Sequence, residues 1–275
     1  MPKAVESFDL SDYDIILSIT SALVKGVKTR KNQIHICYCN TPTRYLWVDS
    51  DEYVKNAPIP FFIRPFMPLV LLYLRRWDLK ASKRPDYFIG NSINVQKRIQ
   101  KYYHRNSDVI YPMADVKNFN PAKNIGDYYL LISRIEPYKR VDMVIDAFRD
   151  LKEKLIIVGS GTKKDQFVKC APKNVKFLGR KTDKELAKVC SETRALIFPQ
   201  EEDFGIVPVE VMAAGRPIIA YGKGGVLETV VPGKTGEFFT PQTAKALRDV
   251  IKRFKYAKYN SLDCRRQASK FDKEV

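Results

Sequence analysis

No stretch of about 18 uncharged apolar residues occurs in the chain, which excludes an ordinary membrane-spanning helix. The first dozen residues mix apolar and charged side chains and do not resemble a cleavable signal peptide, so a cytoplasmic location is expected. Cysteine is sparse: five in 275 residues, an odd number without dense spacing, argues against a disulfide framework and for a reducing compartment. Internal repeats and low-complexity tracts are absent. Acidic residues are also short, with 31 Asp and Glu against 48 Lys and Arg, a formal charge of +17.

That excess attracts anions, whether nucleotide phosphates, a membrane surface or nucleic acid. Eleven of the basic residues fall between Lys55 and Arg105 against Asp78 and Asp86, a local net of +9. Solubility or lineage bias accounts for such an excess equally well. With 45% hydrophobic residues the chain can bury a core of one large or two modest domains. His35, Cys37 and Cys39 alternate along one face of a strand; lacking a spaced fourth ligand, they read as small buried side chains rather than a metal site.

Apolar runs at 13–19, 34–39, 86–92 and 109–115 read as strands, with a helix at Ile93–Tyr103 and a basic segment at Lys25–Lys31. A linker follows to Gly126. Strands resume at 128–134, 155–161, 175–179, 195–199 and 218–221, with helices between them and another over Ala244–Tyr256. Thr182 or Asp183 caps the helix that runs through Val189. Strands alternating with helices predict an α/β fold built on parallel sheets.

The stretch from Gln200 to Tyr221 is the functional centre. Pro208 starts a helix where a missing N–H costs nothing, and Gly215 ends it ahead of Arg216-Pro217. Glu202, Phe204 and Gly205 occupy a loop beyond a strand's carboxyl end, where open sheets bind ligands. Glu210 falls in the first helical turn, where the helix dipole favours its charge and a carboxylate can accept paired sugar hydroxyls. Arg134 and Lys139, at the end of an earlier strand, supply two fixed cations that suit a diphosphate. Gly222, Gly224 and Gly225 form either a phosphate-approaching loop or a plain tight turn.

EDFGIVPVE, residues 202–210, resembles the Glu, seven residues, Glu motif of glycosyltransferase family 4, the glycosyl transferases group 1. AAGRPIIAYGKGGVLETVVPGKTG continues the resemblance, which runs from about Tyr13 to the end. Its wording resembles the mannosyltransferases that use GDP-mannose. The resemblance implies a GT-B-like fold of two Rossmann-like domains, the N-terminal one incomplete. It divides the chain into a partial acceptor-side domain at 1–122, a nucleotide-sugar-binding domain at 123–258 and a terminal helix at 259–275 that crosses back to the first domain.

In the residues that match, the resemblance makes Arg134, Lys139 and Glu202 catalytic. It assigns donor binding to Gly159, Gly161, Gly179, Arg180, Lys181, Phe204, Gly205, Ile206, Val207 and Glu210, with Asn40 and Arg44 on the acceptor side. No metal or cofactor is implied beyond the sugar-nucleotide donor. Retention follows either from a leaving phosphate oxygen that deprotonates the acceptor or from a covalent step through Glu202.

Ser21 and Asn40 stand where the family carries histidines, and the glycine-rich first half of its N-terminal domain has no counterpart. Competing readings are therefore a nucleotide-sugar-binding protein without transfer, one half of a split enzyme whose N-terminal half is a separate polypeptide, a GT-B-fold epimerase, and charge-driven nucleic-acid binding. The expected partners are a nucleotide sugar and a glycan or lipid-linked acceptor, with no specific nucleic acid. The apolar, aromatic and basic segment 58–80 reads either as a helix covering the sheet or as an element docking on anionic lipid.

Overall fold

Two all-parallel sheets, one of four strands and one of six, organise the chain. The computed structural model describes residues 2–48, 50, 54, 60 and 62–274. They divide into two units, Met1–Tyr111 and Pro112–Val275.

The first unit runs α1 (Pro2–Glu6), β1 (Ile15–Thr20), β2 (Ile34–Cys39), α2 (Arg44–Trp47), α3 (Met67–Ala81), β3 (Tyr87–Gly90), α4 (Ile93–Tyr103) and β4 (Asp108–Val109). Its strands lie in sequence order, β1-β2-β3-β4. The last is much shorter than the expected 109–115, because only Asp108 and Val109 pair with β3. Ser92 caps α4 by accepting a hydrogen bond from Val95 N at 3.1 Å. The helix then lays Val95, Ile99 and Tyr103 on Cys37, Cys39 and Phe88.

His35 is on that covered face too, its Nε2 2.8 Å from Ser18 Oγ. Burial pushes its pKa down to about 4, against a smaller opposing pull from Asp86. Cys37 and Cys39 form no disulfide and are fully buried.

A buried ionic network ties the loops of this unit together. Lys25 Nζ lies 2.5 Å from Asp78 Oδ1 and also donates to Ala22 O at 2.6 Å. Trp47 Nε1 and Tyr103 OH each donate to Asp78 Oδ2 at 2.8 Å, and the Thr43 hydroxyl donates to Oδ1 at 3.0 Å. The carboxylate is thus fully paired, as a buried charge must be.

Asp78 and Ala81 are the only described residues of α3 that are buried. Phe62, Phe66, Leu69, Leu72 and Tyr73 are exposed, so the start of α3 does not serve as a helix covering the sheet. Residues 58, 59 and 61 of the segment 58–80 lie outside the described residues. Among the described residues no helix is long and apolar enough to cross a membrane.

The second unit runs β5 (Tyr129–Ile132), α5 (Val141–Arg149), β6 (Leu155–Val158), α6 (Lys164–Cys170), β7 (Val175–Gly179), α7 (Asp183–Glu192), β8 (Leu196–Phe198), α8 (Ile206–Ala213), β9 (Ile218–Tyr221), α9 (Val226–Thr229), β10 (Gly236–Phe239), α10 (Ala244–Arg253) and α11 (Ser261–Ala268). The sheet order is β10-β9-β8-β5-β6-β7. From β5 one run of strands steps outward to β7, and from β8 another steps the opposite way. The crevice between β5 and β8 is where a doubly wound sheet opens for ligands. Leu131, Val144, Phe148, Ile157, Ile197 and Ile219 form the centre of its core.

The division falls earlier than the expected 122/123, because the intervening segment is tied into the second unit. Ala114 N donates to Phe271 O at 2.8 Å, Arg265 Nη1 to Phe119 O at 2.8 Å and Arg216 Nη2 to Ala122 O at 3.0 Å. Helix α11 packs on α8 within this unit. Helix α10 stops at Arg253, short of the expected Tyr256.

Removing one member of a buried ion pair leaves the other charge stranded. Lys25→Met should destabilise the first unit by about 3–5 kcal/mol. Both tryptophans, Trp47 and Trp77, belong to that unit, so urea unfolding followed by their fluorescence should show the lowered midpoint.

Candidate functional site

The loop after β5 carries Arg134 and Lys139, and backbone contact with the loop after β6 fixes its course. Ile135 N donates to Ser160 O at 3.0 Å, and Lys163 N returns a bond to Ile135 O at 3.2 Å. The Glu136 carboxylate accepts from Thr162 N at 2.9 Å and from its hydroxyl at 2.7 Å. Those bonds hold Glu136 below the ordinary carboxylate range.

Such closeness requires glycine on the facing strand end. Gly159 has φ +135°, and a Cβ there would sit 1.9 Å from Ser133 O. A Cβ at Gly161 would sit 2.4 Å from Ile135 O.

Across the crevice, the loop after β8 carries Glu202. It bridges to Gly224, and Gly225 N donates to Glu202 O at 2.9 Å. These glycines serve the close approach of two loops, since a Cβ at Gly224 would lie 2.4 Å from Glu202 O. Arg140 Nη1 donates to Gln242 Oε1 at 2.9 Å, and Gln242 Nε2 donates to Pro199 O at 2.8 Å, which couples the β5 and β8 loops.

Between these loops lies a cavity of about 480 Å³. Arg134, Lys139, Gly159, Arg180, Lys181, Glu202, Gly205, Ile206 and Val207 all line it. Lys139 and Glu202 form an ion pair across the crevice. Lys181 Nζ is held by Glu185 at 2.9 Å, and Arg180 Nε donates to Ser160 Oγ at 2.8 Å. Among the described residues the Arg134 guanidinium makes no hydrogen bond or ion pair. Four cations against one lining carboxylate leave the cavity strongly electropositive.

The remaining expected donor residues sit elsewhere. Gly161 and Gly179 do not line the cavity; Gly161 faces Ile135, and the Gly179 carbonyl accepts from Gly159 N at 2.8 Å. Phe204 is buried edge-on against Phe271, with ring centroids 5.4 Å apart, and belongs to the core.

Helix α8 begins at Ile206, two residues before Pro208, because Gly205 at φ +90° already turns the chain. Glu210 consequently falls in the second turn, not the first. It is half-buried and lies outside the cavity lining; desolvation, then the Asp183 charge, pushes its pKa above the ordinary 4.5, and no hydrogen bond among the described residues opposes the shift.

The helix ends at Ala213, where Gly215 N bonds Met212 O at 2.9 Å and Arg216 N bonds Val211 O at 3.1 Å, a Schellman closure with Gly215 at φ +75°. Thr182 caps α7 in a reciprocal box with Glu185, and the helix continues past Val189 to Glu192. Asn40 and Arg44 belong to the first unit, at the carboxyl end of β2 and the start of α2.

Sequence reasoning assigned no role to Ser133, Ser160 and Gln200, which also line the cavity. All three follow strand ends within two positions of residues that were recognised, so the strand-end rule applied to whole loops would have found them. Gln200 is buried, its Nε2 reaches Glu202 Oε1 at 3.4 Å, and its Oε1 has no partner.

A doubly wound parallel sheet with a cation-lined cavity at its switch point defines a Rossmann-like anion-binding unit. Residues 115–271 match the family described as glycosyl transferases group 1, which is more than half of the chain, and the protein belongs to that family. It is 35% identical over 178 residues to a glycosyltransferase of Methanocaldococcus jannaschii, covering 62% of this chain and 50% of that one. It is 28% identical over 270 residues to the alpha-1,3/1,6-mannosyltransferase of Schizosaccharomyces pombe, covering 80% and 51%. The chain thus spans about half the length of these curated relatives.

Among solved structures, sucrose-phosphate synthase from Thermosynechococcus elongatus matches with a TM-score of 0.79 at 20% identity, over 99% of this chain and 74% of that one. Anabaena HepE in complex with UDP matches with a TM-score of 0.70 at 19% identity, over 98% and 77%. The fold is of the GT-B type, with two Rossmann-like α/β units.

Gly159→Ala combines a disfavoured φ with a backbone collision and should cost at least about 1–3 kcal/mol. Hydrogen exchange should show the Ile135 and Lys163 amides losing protection while 218–221 keeps it.

Proposed function

We propose that this protein transfers a hexose, mannose from GDP-mannose, to a glycan or lipid-linked acceptor with retention of configuration. The observation that supports this reading most is the convergence of Arg134, Lys139 and Glu202 on one cavity. Arg134 and Lys139 would neutralise the charge that builds on the leaving nucleoside diphosphate, and fixed charges of this kind need no reorganisation during reaction. Glu202 would contact the transferred sugar.

Glu210 would accept the ribose hydroxyls, a role suited to a half-buried carboxylate that lacks a donor. A leaving phosphate oxygen that takes the acceptor proton on the same face would give retention without a protein nucleophile. The identity to a mannosyltransferase supports the sugar assignment. The UDP complex of a structural neighbour supports a nucleotide in this type of unit.

A lipid-linked acceptor agrees with the exposed Phe62, Phe66, Leu69, Leu72 and Tyr73, which are flanked by exposed Arg64, Arg76 and Lys80. This combination suits the headgroup region of an anionic bilayer. The competing reading, nucleotide-sugar binding without transfer, draws on Ser21 and Asn40.

Calorimetry with GDP, together with a transfer assay from GDP-mannose, separates the two. Arg134→Ala should weaken GDP binding about 10- to 100-fold, the worth of a charged hydrogen bond. Glu202→Gln should keep GDP binding and abolish transfer. GDP binding by the unmodified chain without any transfer would favour the competing reading.

Hydroxyls donated to Glu210 bind its ionised form, so affinity should be full above its raised pKa and fall as pH drops through it. Glu210→Gln should flatten that dependence. Sedimentation with phosphatidylserine vesicles should exceed that with neutral phosphatidylcholine vesicles, and Leu69→Glu with Leu72→Glu should abolish it.

A further inference from the structure

Two residues outside the cavity lining tie its walls together. Arg140 directly follows Lys139 and caps the start of α5 in the left-handed region, at φ +53° and ψ +33°. Glycine adopts that conformation freely and arginine does not. A strained residue persists where its surroundings hold it. Here the guanidinium is held: Nη1 donates to Gln242 Oε1 at 2.9 Å, and Nε lies 3.8 Å from Asp142 Oδ1.

Gln242 sits in the connection from β10 to α10, next to Thr243, whose hydroxyl caps α10 by accepting from Ala246 N at 3.2 Å. It is half-buried, and its Nε2 donates to Pro199 O at 2.8 Å. Pro199 follows β8, one position before Gln200 and three before Glu202. The amide is satisfied at both ends in one orientation only. Turned over, its nitrogen would face the guanidinium and its oxygen a carbonyl.

These contacts close a ring. Lys139 pairs with Glu202, and Gln200 Nε2 reaches Glu202 Oε1 at 3.4 Å. Arg140 and Pro199, the chain neighbours of Lys139 and Gln200, meet on Gln242. Lys139, Gln200 and Glu202 line the cavity, whereas Arg140, Pro199 and Gln242 do not. The glycine contacts pack each wall outward, the β5 loop on the β6 loop and the β8 loop on the β9 loop; Gln242 links the walls to each other.

We propose that Gln242 is a positioning residue. By holding Arg140 and the Pro199 carbonyl together it sets the separation of Lys139 and Glu202, and it keeps the walls in register when a diphosphate draws Lys139 away. A glutamine does this where a charged side chain cannot, because it accepts from one partner and donates to the other. Its effect on rate rests on the transfer reading; its effect on the ion pair does not.

The test is a double-mutant cycle in the full chain, with Arg140→Ala, Gln242→Ala and both together. It is read by transfer from GDP-mannose, by GDP calorimetry and by trace acetylation of Lys139 with acetic anhydride. Each single variant should lower kcat about 10- to 100-fold, the cost of a small displacement of groups near the reacting atoms, with KM for GDP-mannose and GDP affinity nearly unchanged. The double variant should be no worse than either single one, since both break the same link. Gln242→Glu still accepts from Arg140 but cannot donate to Pro199 O, and should behave as Gln242→Ala. Arg140→Lys keeps a donor and should keep most of the rate. Acetylation of Lys139 should rise severalfold in Gln242→Ala as its pair with Glu202 loosens, while Lys181, held by Glu185, should not change. Losses that add in the double variant, GDP affinity falling in step with kcat, or unchanged Lys139 acetylation would overturn the proposal. Where Gln242→Ala does not fold, Arg140→Ala against Arg140→Lys gives the same comparison. Should the unmodified chain transfer nothing, the transfer reading fails and Lys139 acetylation alone decides, a rise sustaining the link and no change overturning it.

Discussion

Backbone lying directly on backbone is the constraint on which the site depends. Gly159 and Gly161 let the β6 loop press against the carbonyls of Ser133 and Ile135, and Gly224 and Gly225 let the β9 loop press against Glu202 and Asp203. Each contact leaves no room for a Cβ. Arg134, Lys139 and Glu202 are long side chains, whose position at rest is only as definite as the loops that carry them. The glycines permit that definition. Their effect is to make two mobile-looking loops part of a close-packed wall.

Local pattern was enough to read most of the second unit, though the edge strand β10 was not expected. Most of its strands are short apolar runs ended or followed at once by glycine or proline, β5 with Ser133 after it being an exception. That Arg134, Lys139 and Glu202 would lie at strand ends on one cavity was legible only with the family resemblance beside the strand-end rule. Finer features were not legible, for identifiable reasons. Pro208 marks a favoured helix start, yet Gly205 at φ +90° begins the turn earlier and carries Glu210 into the second turn. Phe204 sits inside the matching motif but faces Phe271, 67 positions away, a contact that no periodicity records. The Lys139–Glu202 pair spans 63 residues and depends on the strand order reversing at β5.

The first unit shows the limit more sharply. In the sequence Lys25 belongs to a basic loop and Asp78 to a basic stretch in which acids are scarce. The fold buries both and surrounds them with Thr43, Trp47 and Tyr103. Neither residue signals burial, because a charge enters the interior only when partners distant in sequence arrive together. The apolar run at β1 misleads in the other direction. It reads as a buried strand, yet alternate side chains meet solvent, since apolar character states what a strand would bury and not whether a cover is present.

The ion pair across the crevice shows how recognition and chemistry would be coupled in the proposed reaction. At rest Glu202 partly neutralises Lys139, and both are sheltered from solvent. A multiply charged diphosphate entering beside Arg134 offers Lys139 a stronger partner than one carboxylate, because Coulomb energy scales with charge at similar distance. Were the lysine to change partner, Glu202 would be left with Gln200 and free acceptor capacity, at the place where a sugar hydroxyl would lie in the proposed reaction. In that proposal an empty site would keep its carboxylate satisfied, and entry of the donor's diphosphate would release it for the sugar.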